Sequence, residues 1–260
     1  MLSKKSTMSK LPKEYKFLDL SDYGRLPATI IANSIKNTSL TPIHVTIGFI
    51  ISGLIAVACI LYQQFLAAAF FLLLKSVLDA ADGELARIKK TPSYTGRYFD
   101  SIADIILNFI IFMTLWHITN TSLIFAIIAF FGIQLQGTLY NYYYVILRNK
   151  FNGDTTSRIF EDSTPTALIG EKQRTVTIFF FIYKVLYGGF DKIIYALDKK
   201  ASYSNPSPNW LMTAISTFGL GFQLLIIAAM LVLGWKIYII PFFIYYSLMI
   251  FIFIGIRKLL

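Results

Sequence analysis

Six apolar runs, each near the twenty or so residues a helix needs to cross a bilayer, dominate this chain and leave it few ways to fold. They lie at 43–62, 64–84, 97–117, 122–147, 209–233 and 236–256. Short turns join them in pairs: Tyr62-Gln63-Gln64, Ile118-Thr119-Asn120 and Gly234-Trp235. The pattern predicts an all-α integral membrane protein of six transmembrane helices in three hairpins. Composition agrees, with 56% hydrophobic and 15% charged residues, where a soluble domain carries roughly a quarter charged. Mean hydropathy is +0.61. The single cysteine, Cys59, sits in an apolar run and reads as a small buried side chain.

Two segments stand outside the spans. Residues 1–40 are basic and polar and read as an interfacial arm, with Lys4, Lys5, Lys10, Lys13 and Lys16 suited to an anionic membrane surface. Residues 41–260 then form the membrane domain, with 148–208 inserted between the fourth and fifth spans. Within that insert, Thr175 to Phe190 is apolar but broken by Lys184 and Gly188-Gly189, which predicts a cytoplasmic or interfacial amphipathic helix.

Charge placement orients the bundle. In this topology 22 of the 24 Lys and Arg residues fall on one face; Lys236 is on the other and Lys75 is inside a span. Basic residues gather on the cytoplasmic side, so both termini are expected there (at the cell inner membrane, if the source is bacterial). The net charge of +10 then belongs to a membrane face and not to a nucleic-acid site. Tyr140, Tyr142, Tyr143 and Tyr144 suit a headgroup layer, and Trp116 and Trp235 the opposite one.

The chemistry is concentrated between the second and third runs. Asp79, Asp82, Asp100 and Asp104 are four carboxylates flanked by hydrocarbon, where an ionisable group is costly and reads as functional. On a helix, Lys75, Asp79, Asp82, Gly83 and Ala86 share about 100° of arc, with Arg87 at the flank. Asp100 and Asp104 stack four apart, with Gly96 one turn earlier. Pro92 ends one helix and Ser93 or Thr95 can cap the next, so the two are antiparallel neighbours whose acidic faces meet. Hard oxygen donors without a nearby histidine or thiolate suit Mg²⁺, Mn²⁺ or Ca²⁺. Two such ions would complement phosphoryl chemistry. Gly83 and Ala86 keep the face low, while Arg87 and Lys75 offer positive charge to a phosphate. Lys75 has two readings, a pairing with Asp79 one turn later or a contact to donor phosphate. Arg148, Lys150, Arg158, Lys172 and Arg174 read either as cytoplasmic anchors or, Arg148 above all, as contacts for a phosphorylated acceptor. An ion or proton transporter built on the same Asp cluster is the competing reading.

The string Asp79-Ala-Ala-Asp82-Gly83-Glu-Leu-Ala86-Arg87, followed by Gly96, Asp100 and Asp104 at fixed spacing, resembles the signature of the CDP-alcohol phosphatidyltransferases (class I) without a gap. That resemblance implies a membrane transferase of phospholipid biosynthesis and lipid metabolism. Such an enzyme moves a phosphatidyl or phospho-alcohol group from a CDP-alcohol, here foremost CDP-diacylglycerol, to an acceptor hydroxyl and releases CMP. It implies two divalent cations, magnesium or manganese, held by Asp79, Asp82 and Asp100, with Asp104 as general base and possibly a fourth ligand. It further implies a CDP site bordered by Asp79, Asp82, Gly83, Ala86, Arg87 and Gly96, and a homodimer. His44, in Thr41-Pro42-Ile43-His44-Val45-Thr46, stands where relatives often have Asn, and reads as an interfacial polar residue and not a catalyst.

Overall fold

The computed structural model describes residues 11, 15–151, 163–204 and 206–260. Lys4, Lys5, Lys10, Lys13 and Arg158 lie outside the described residues. Among those described, every regular element is a helix. A short 3₁₀ turn at Leu20–Asp22 leads into α1 (Arg25–Ile35). Then come α2 (Pro42–Leu61), α3 (Phe65–Lys89), α4 (Tyr94–Thr119) and α5 (Leu123–Lys150). α6 (Gln173–Leu197) follows. The chain ends in two broken rods: α7 (Asn209–Ile215) with α8 (Leu220–Val232), and α9 (Ile239–Tyr246) with α10 (Met249–Leu259).

Local chemistry sets the ends. α2 opens on a capping box in which His44 Nδ1 accepts the Thr41 N–H at 3.1 Å, with Pro42 at the first turn. That contact gives His44 a structural task, in keeping with its reading as a polar interface residue. α3 closes with Lys90 in the left-handed region and Thr91 N–H bonded back to Ala86 O, just before Pro92. Ser93 then caps α4 by accepting the Gly96 N–H at 2.8 Å. The hydrophobic runs stop at 84 and resume at 97, yet helix continues through the charged stretch on both sides, leaving only Lys90–Ser93 as connection.

α2, α4, α5 and the rod Lys236–Leu259 are long and apolar enough to cross a bilayer, and the α7–α8 pair makes a fifth if its 54° bend lies within one span. α3 has the length, 25 residues, but its Lys and Asp residues set it apart from those five. The bend has a cause. A Cβ on Gly221 would stand 2.0 Å from Ser21 O, and one on Gly219 would stand 2.3 Å from Ser21 Oγ. The two glycines let the arm's backbone press into the corner, where Leu20 N–H donates to Ser216 Oγ at 2.8 Å. Leu20–Asp22 is therefore seated against the α7–α8 corner, while α1 lies along α3 with Leu26 and Ile30 exposed.

Helices pack here through close contact and not through exclusion of water. Gly53 of α2 meets α4 so closely that an added Cβ would sit 2.8 Å from Leu107 Cδ1. Phe49, Leu72, Ile111, Phe112, Leu115 and Phe243 are wholly buried in the core. α6 lies across α4 and α5: Tyr98 packs on Phe180 and Tyr183, and Phe131 on Phe190.

Candidate metal and CDP-alcohol site

α3 and α4 meet at the end where the connection Lys90–Ser93 joins them. One oxygen each from Asp79, Asp82 and Asp100 lies within 4.8 Å of the others. Asp82 is held from a third helix, because Thr46 Oγ1 donates to its Oδ2 at 2.6 Å. Asp100 Oδ1 is buried with no hydrogen-bond donor. A buried acceptor without a partner is costly, and three carboxylates this close need positive charge to offset their repulsion. All donors are hard oxygens. The residues present therefore fit a divalent cation of the Mg²⁺ or Mn²⁺ type.

Asp104, one turn deeper, lies outside that trio. Its Oδ1 accepts from Lys75 Nζ at 2.6 Å, and the wholly buried ammonium also lies 4.8 Å from the centre of the Phe49 ring. Lys75 thus reaches across to α4 and does not take Asp79, its neighbour one turn along, as its hydrogen-bond partner.

The rim is a chain of ion pairs. Arg87 donates to Glu84 at 2.7 Å, Glu84 also pairs with Arg25 at 3.4 Å, and Arg25 pairs with Asp22. A Cβ on Gly83 would stand 3.6 Å from Arg87 Nη1, so the low surface at Gly83 is bordered by that guanidinium. Ala86 lies one helical turn along the same helix. Arg148 is buried with its Cζ 5.0 Å from the Tyr144 ring. Tyr144 stacks on Tyr140, which donates to Asp19 of the arm. The structure thus brings Arg148 into the cluster around the arm.

Glu171 was not foreseen as part of the site. It accepts from Ser93 Oγ and Thr95 N–H at 2.7 Å each, and from the N–H groups of Tyr94 and Leu168 at 3.2 Å. Burial alone would raise its pKa, but those hydrogen bonds outweigh burial and hold it below the usual value. A carboxylate at this helix start also suits the positive end of the α4 dipole. Glu171 thereby ties the insert to the helix that carries Gly96, Asp100 and Asp104. Arg25, Glu84 and Tyr187 were likewise missed, since each acts across a helix boundary; Thr46 lay within a string already singled out, but with no role.

The family model for CDP-alcohol phosphatidyltransferase matches residues 39–253. The chain belongs to this family. No curated protein matches it. Membership makes the chain a phosphotransferase acting on a CDP-alcohol donor and an alcohol acceptor, of the phospholipid-synthesis class. It also agrees with a multi-pass membrane protein. The family's general dependence on divalent metal is in accord with the Asp79–Asp82–Asp100 trio. All eight signature positions of this CDP-alcohol phosphatidyltransferase, Asp79 to Asp104, lie on two consecutive helices, α3 and α4.

Proposed function

We propose that this enzyme transfers the phosphatidyl group of CDP-diacylglycerol to the hydroxyl of a small alcohol and releases CMP. The observation that carries the proposal is the convergence of Asp79, Asp82 and Asp100 within 4.8 Å, with Asp104 beside them on α4 and held by Lys75. In this reading Asp79, Asp82 and Asp100 hold two divalent cations, Mg²⁺ or Mn²⁺, with Asp104 available as a fourth ligand. Bound cations would offset the charge of the diphosphate. Gly83, Ala86 and Gly96 leave room for the CDP moiety, and Arg87 lies against its phosphates.

The acceptor hydroxyl gives its proton to Asp104 as its oxygen forms a bond to the phosphatidyl phosphorus. The bond from that phosphorus to the bridging oxygen breaks, and the electron pair leaves with CMP. Catalysis of this kind depends on positioning and charge, with a base in hydrogen-bond reach. Lys75 fixes the rotamer of Asp104. Arg148 contacts the acceptor where that molecule carries a phosphate.

The proposed topology has six spans, with α3 and the bent α7–α8 rod included, both termini and the carboxylates on the cytoplasmic face, and a homodimeric assembly. The distribution of basic residues supports that sidedness. So does α6, whose start is tied through Glu171 to the α4 N-terminus and whose end is tied through Asp198 to Tyr142 and Tyr143, late in α5, and to Arg257 near the C-terminus. Both ends of α6 meet one end of the bundle, as an interfacial helix requires. The transporter reading is disfavoured by the family match.

The test is CMP release by purified protein from a panel of CDP-linked donors and alcohols. The expected result is release that needs Mg²⁺ or Mn²⁺ and disappears in Asp104→Asn. Ion flux in proteoliposomes with no CMP from any donor would overturn it.

A further inference from the structure

The turn that precedes α1 reaches the flank of the carboxylate site. Gly24 lies so close to α3 that an added Cβ would stand 3.3 Å from Val77 Cγ2 and 3.7 Å from Ser76 O. α8 meets the same stretch of α3, since a Cβ on Gly221 would stand 3.1 Å from Ser76 Oγ. Tyr23 is thereby fixed beside Ser76. Its hydroxyl lies against the Ser76 side chain and within the field of the Lys75 and Asp79 charges. The residue is still 36% exposed, so the phenol lines an open wall and is not sealed in the core. It stands ahead of residues 39–253, the part matched to the family, and the signature gives it no role.

We infer that Tyr23 is a specificity-determining residue, whose hydroxyl binds a second polar group of the acceptor alcohol while the reacting hydroxyl lies at Asp104. The inference rests on the proposed function and deepens it, by limiting acceptors to small molecules with at least two polar groups. Depth along α3 separates acceptor from nucleotide. Gly83, Ala86 and Arg87, assigned to the CDP moiety, lie on the rim side of Asp79. Ser76 lies one turn to the other side, next to Lys75. Lys75 in turn donates to Asp104 at 2.6 Å. With Asp79 as zero, Ser76 lies about 60° round α3 in one direction and Lys75 about 40° in the other. Tyr23 and the Lys75–Asp104 pair therefore flank Asp79 from opposite sides. A phenol can both donate and accept, and burial raises its pKa against the opposing effects of Ser76 and Lys75. Tyr23 thus offers a hydrogen bond and adds no charge to a site already rich in carboxylates.

Tyr23→Phe removes the hydroxyl and keeps the ring. The donor is CDP-diacylglycerol, and the acceptors are L-serine, sn-glycerol 3-phosphate and myo-inositol. Each acceptor that supports CMP release is expected to show a KM about tenfold higher in Tyr23→Phe, the effect of one lost hydrogen bond. kcat and the donor KM are expected to stay within about twofold, the pattern of a binding contact made before the chemical step. A Tyr23 that only packs the arm against α3 would move all three constants or none. An equal rise in donor KM, a fall in kcat alone, or an unchanged acceptor KM would overturn the inference while CMP release upholds the proposed function.

Protection from a thiol reagent reads binding without turnover. Cys59→Ala removes the chain's one native cysteine. In that background Tyr23→Cys is expected to react with a soluble maleimide more slowly when Mn²⁺ and an excess of any of the three acceptors that binds are present. Leu18→Cys, at a position 69% exposed on the arm, is expected to react at one rate throughout. Slowed reaction at Tyr23→Cys without CMP from any donor would sink the proposed function and keep a polyol or amino-alcohol site beside Tyr23. A Tyr23→Cys rate that none of the three acceptors changes would overturn the inference.

Discussion

Lys75 Nζ donates to Asp104 Oδ1 at 2.6 Å from a side chain with no solvent exposure, linking the middle of α3 to α4. A lysine so placed cannot serve chiefly as a membrane anchor. It holds the carboxylate assigned as base, and removing it leaves an uncompensated buried charge. Breaking such a pair costs about 3–5 kcal/mol, so Lys75→Met is expected to lower the unfolding temperature and reduce kcat by roughly 10²-fold or more through loss of base geometry. Lys75→Met with Asp104→Asn should recover most of the stability and none of the activity. Thermal unfolding in detergent alongside CMP release checks both; a double variant no more stable than Lys75→Met would contradict the pairing.

Thr46 is the one residue of α2 that donates to an acidic ligand, at 2.6 Å to Asp82. Outer partners of metal ligands commonly change affinity by about 10–100-fold when lost. Thr46→Val, which keeps shape and removes the hydroxyl, is expected to weaken the apparent Mn²⁺ affinity by about tenfold, with Thr46→Ser near wild type. A titration of CMP release against Mn²⁺ reads the effect, and equal curves for Thr46→Val and wild type would remove Thr46 from the site.

How much of this was legible in the sequence depends on whether the cause is local. The Asp faces of α3 and α4 follow from helical spacing alone, and so did their meeting across Pro92. The apolar runs stop several residues short of the helices, because hydropathy falls at the charged stretch while backbone hydrogen bonding does not; Pro92 and the Ser93 cap mark the ends themselves. The partner of Lys75 was out of reach for the same reason: spacing pointed to Asp79 one turn away, and the hydrogen bond is to Asp104 on the next helix. The amphipathic helix of the insert was readable from its aromatics, Lys184 and Gly188-Gly189, though it runs to Leu197 and not 190. Neither the bend at Ser216–Gly219 nor the Arg25–Glu84 pair leaves any periodic trace, since each is imposed by the arm from far along the chain.

Glu171 gives stability a pH dependence with a definite sign. Its hydrogen bonds from Ser93, Thr95 and Leu168 hold its pKa in the fold below the ordinary glutamate value of 4.5, so the unfolded chain takes up its proton first as pH falls. Its contribution is complete above the unfolded pKa and disappears as pH drops through the lower folded value. Glu171→Gln is therefore expected to be less stable than wild type by a constant margin from about pH 8 to pH 5, with the gap closing below about pH 4.5. Unfolding temperatures across that range measure it. A gap that widens on acidification would show that the cap at Ser93 and Thr95 is not carboxylate-dependent.

Gly221 controls the seating of the arm. A methyl group there would need the space of Ser21 O, at 2.0 Å, and backbone cannot step aside as a flexible side chain does. Gly221→Ala is thus expected to lift the Leu20–Ser216 contact and, with it, the Arg25–Glu84 pair at the rim of the site. Overpacking of this kind costs about 1–3 kcal/mol, and displacement of rim groups by about an ångström can cost up to 10²-fold in rate. Gly255, where an added Cβ meets nothing within 4 Å, is the control, and Gly255→Ala should be neutral or slightly stabilising. Limited trypsin digestion at Lys16 and Arg25, read together with CMP release, decides the matter. Arm cleavage should quicken only in Gly221→Ala; unchanged cleavage with lost activity would move the effect away from the arm and onto α8 itself.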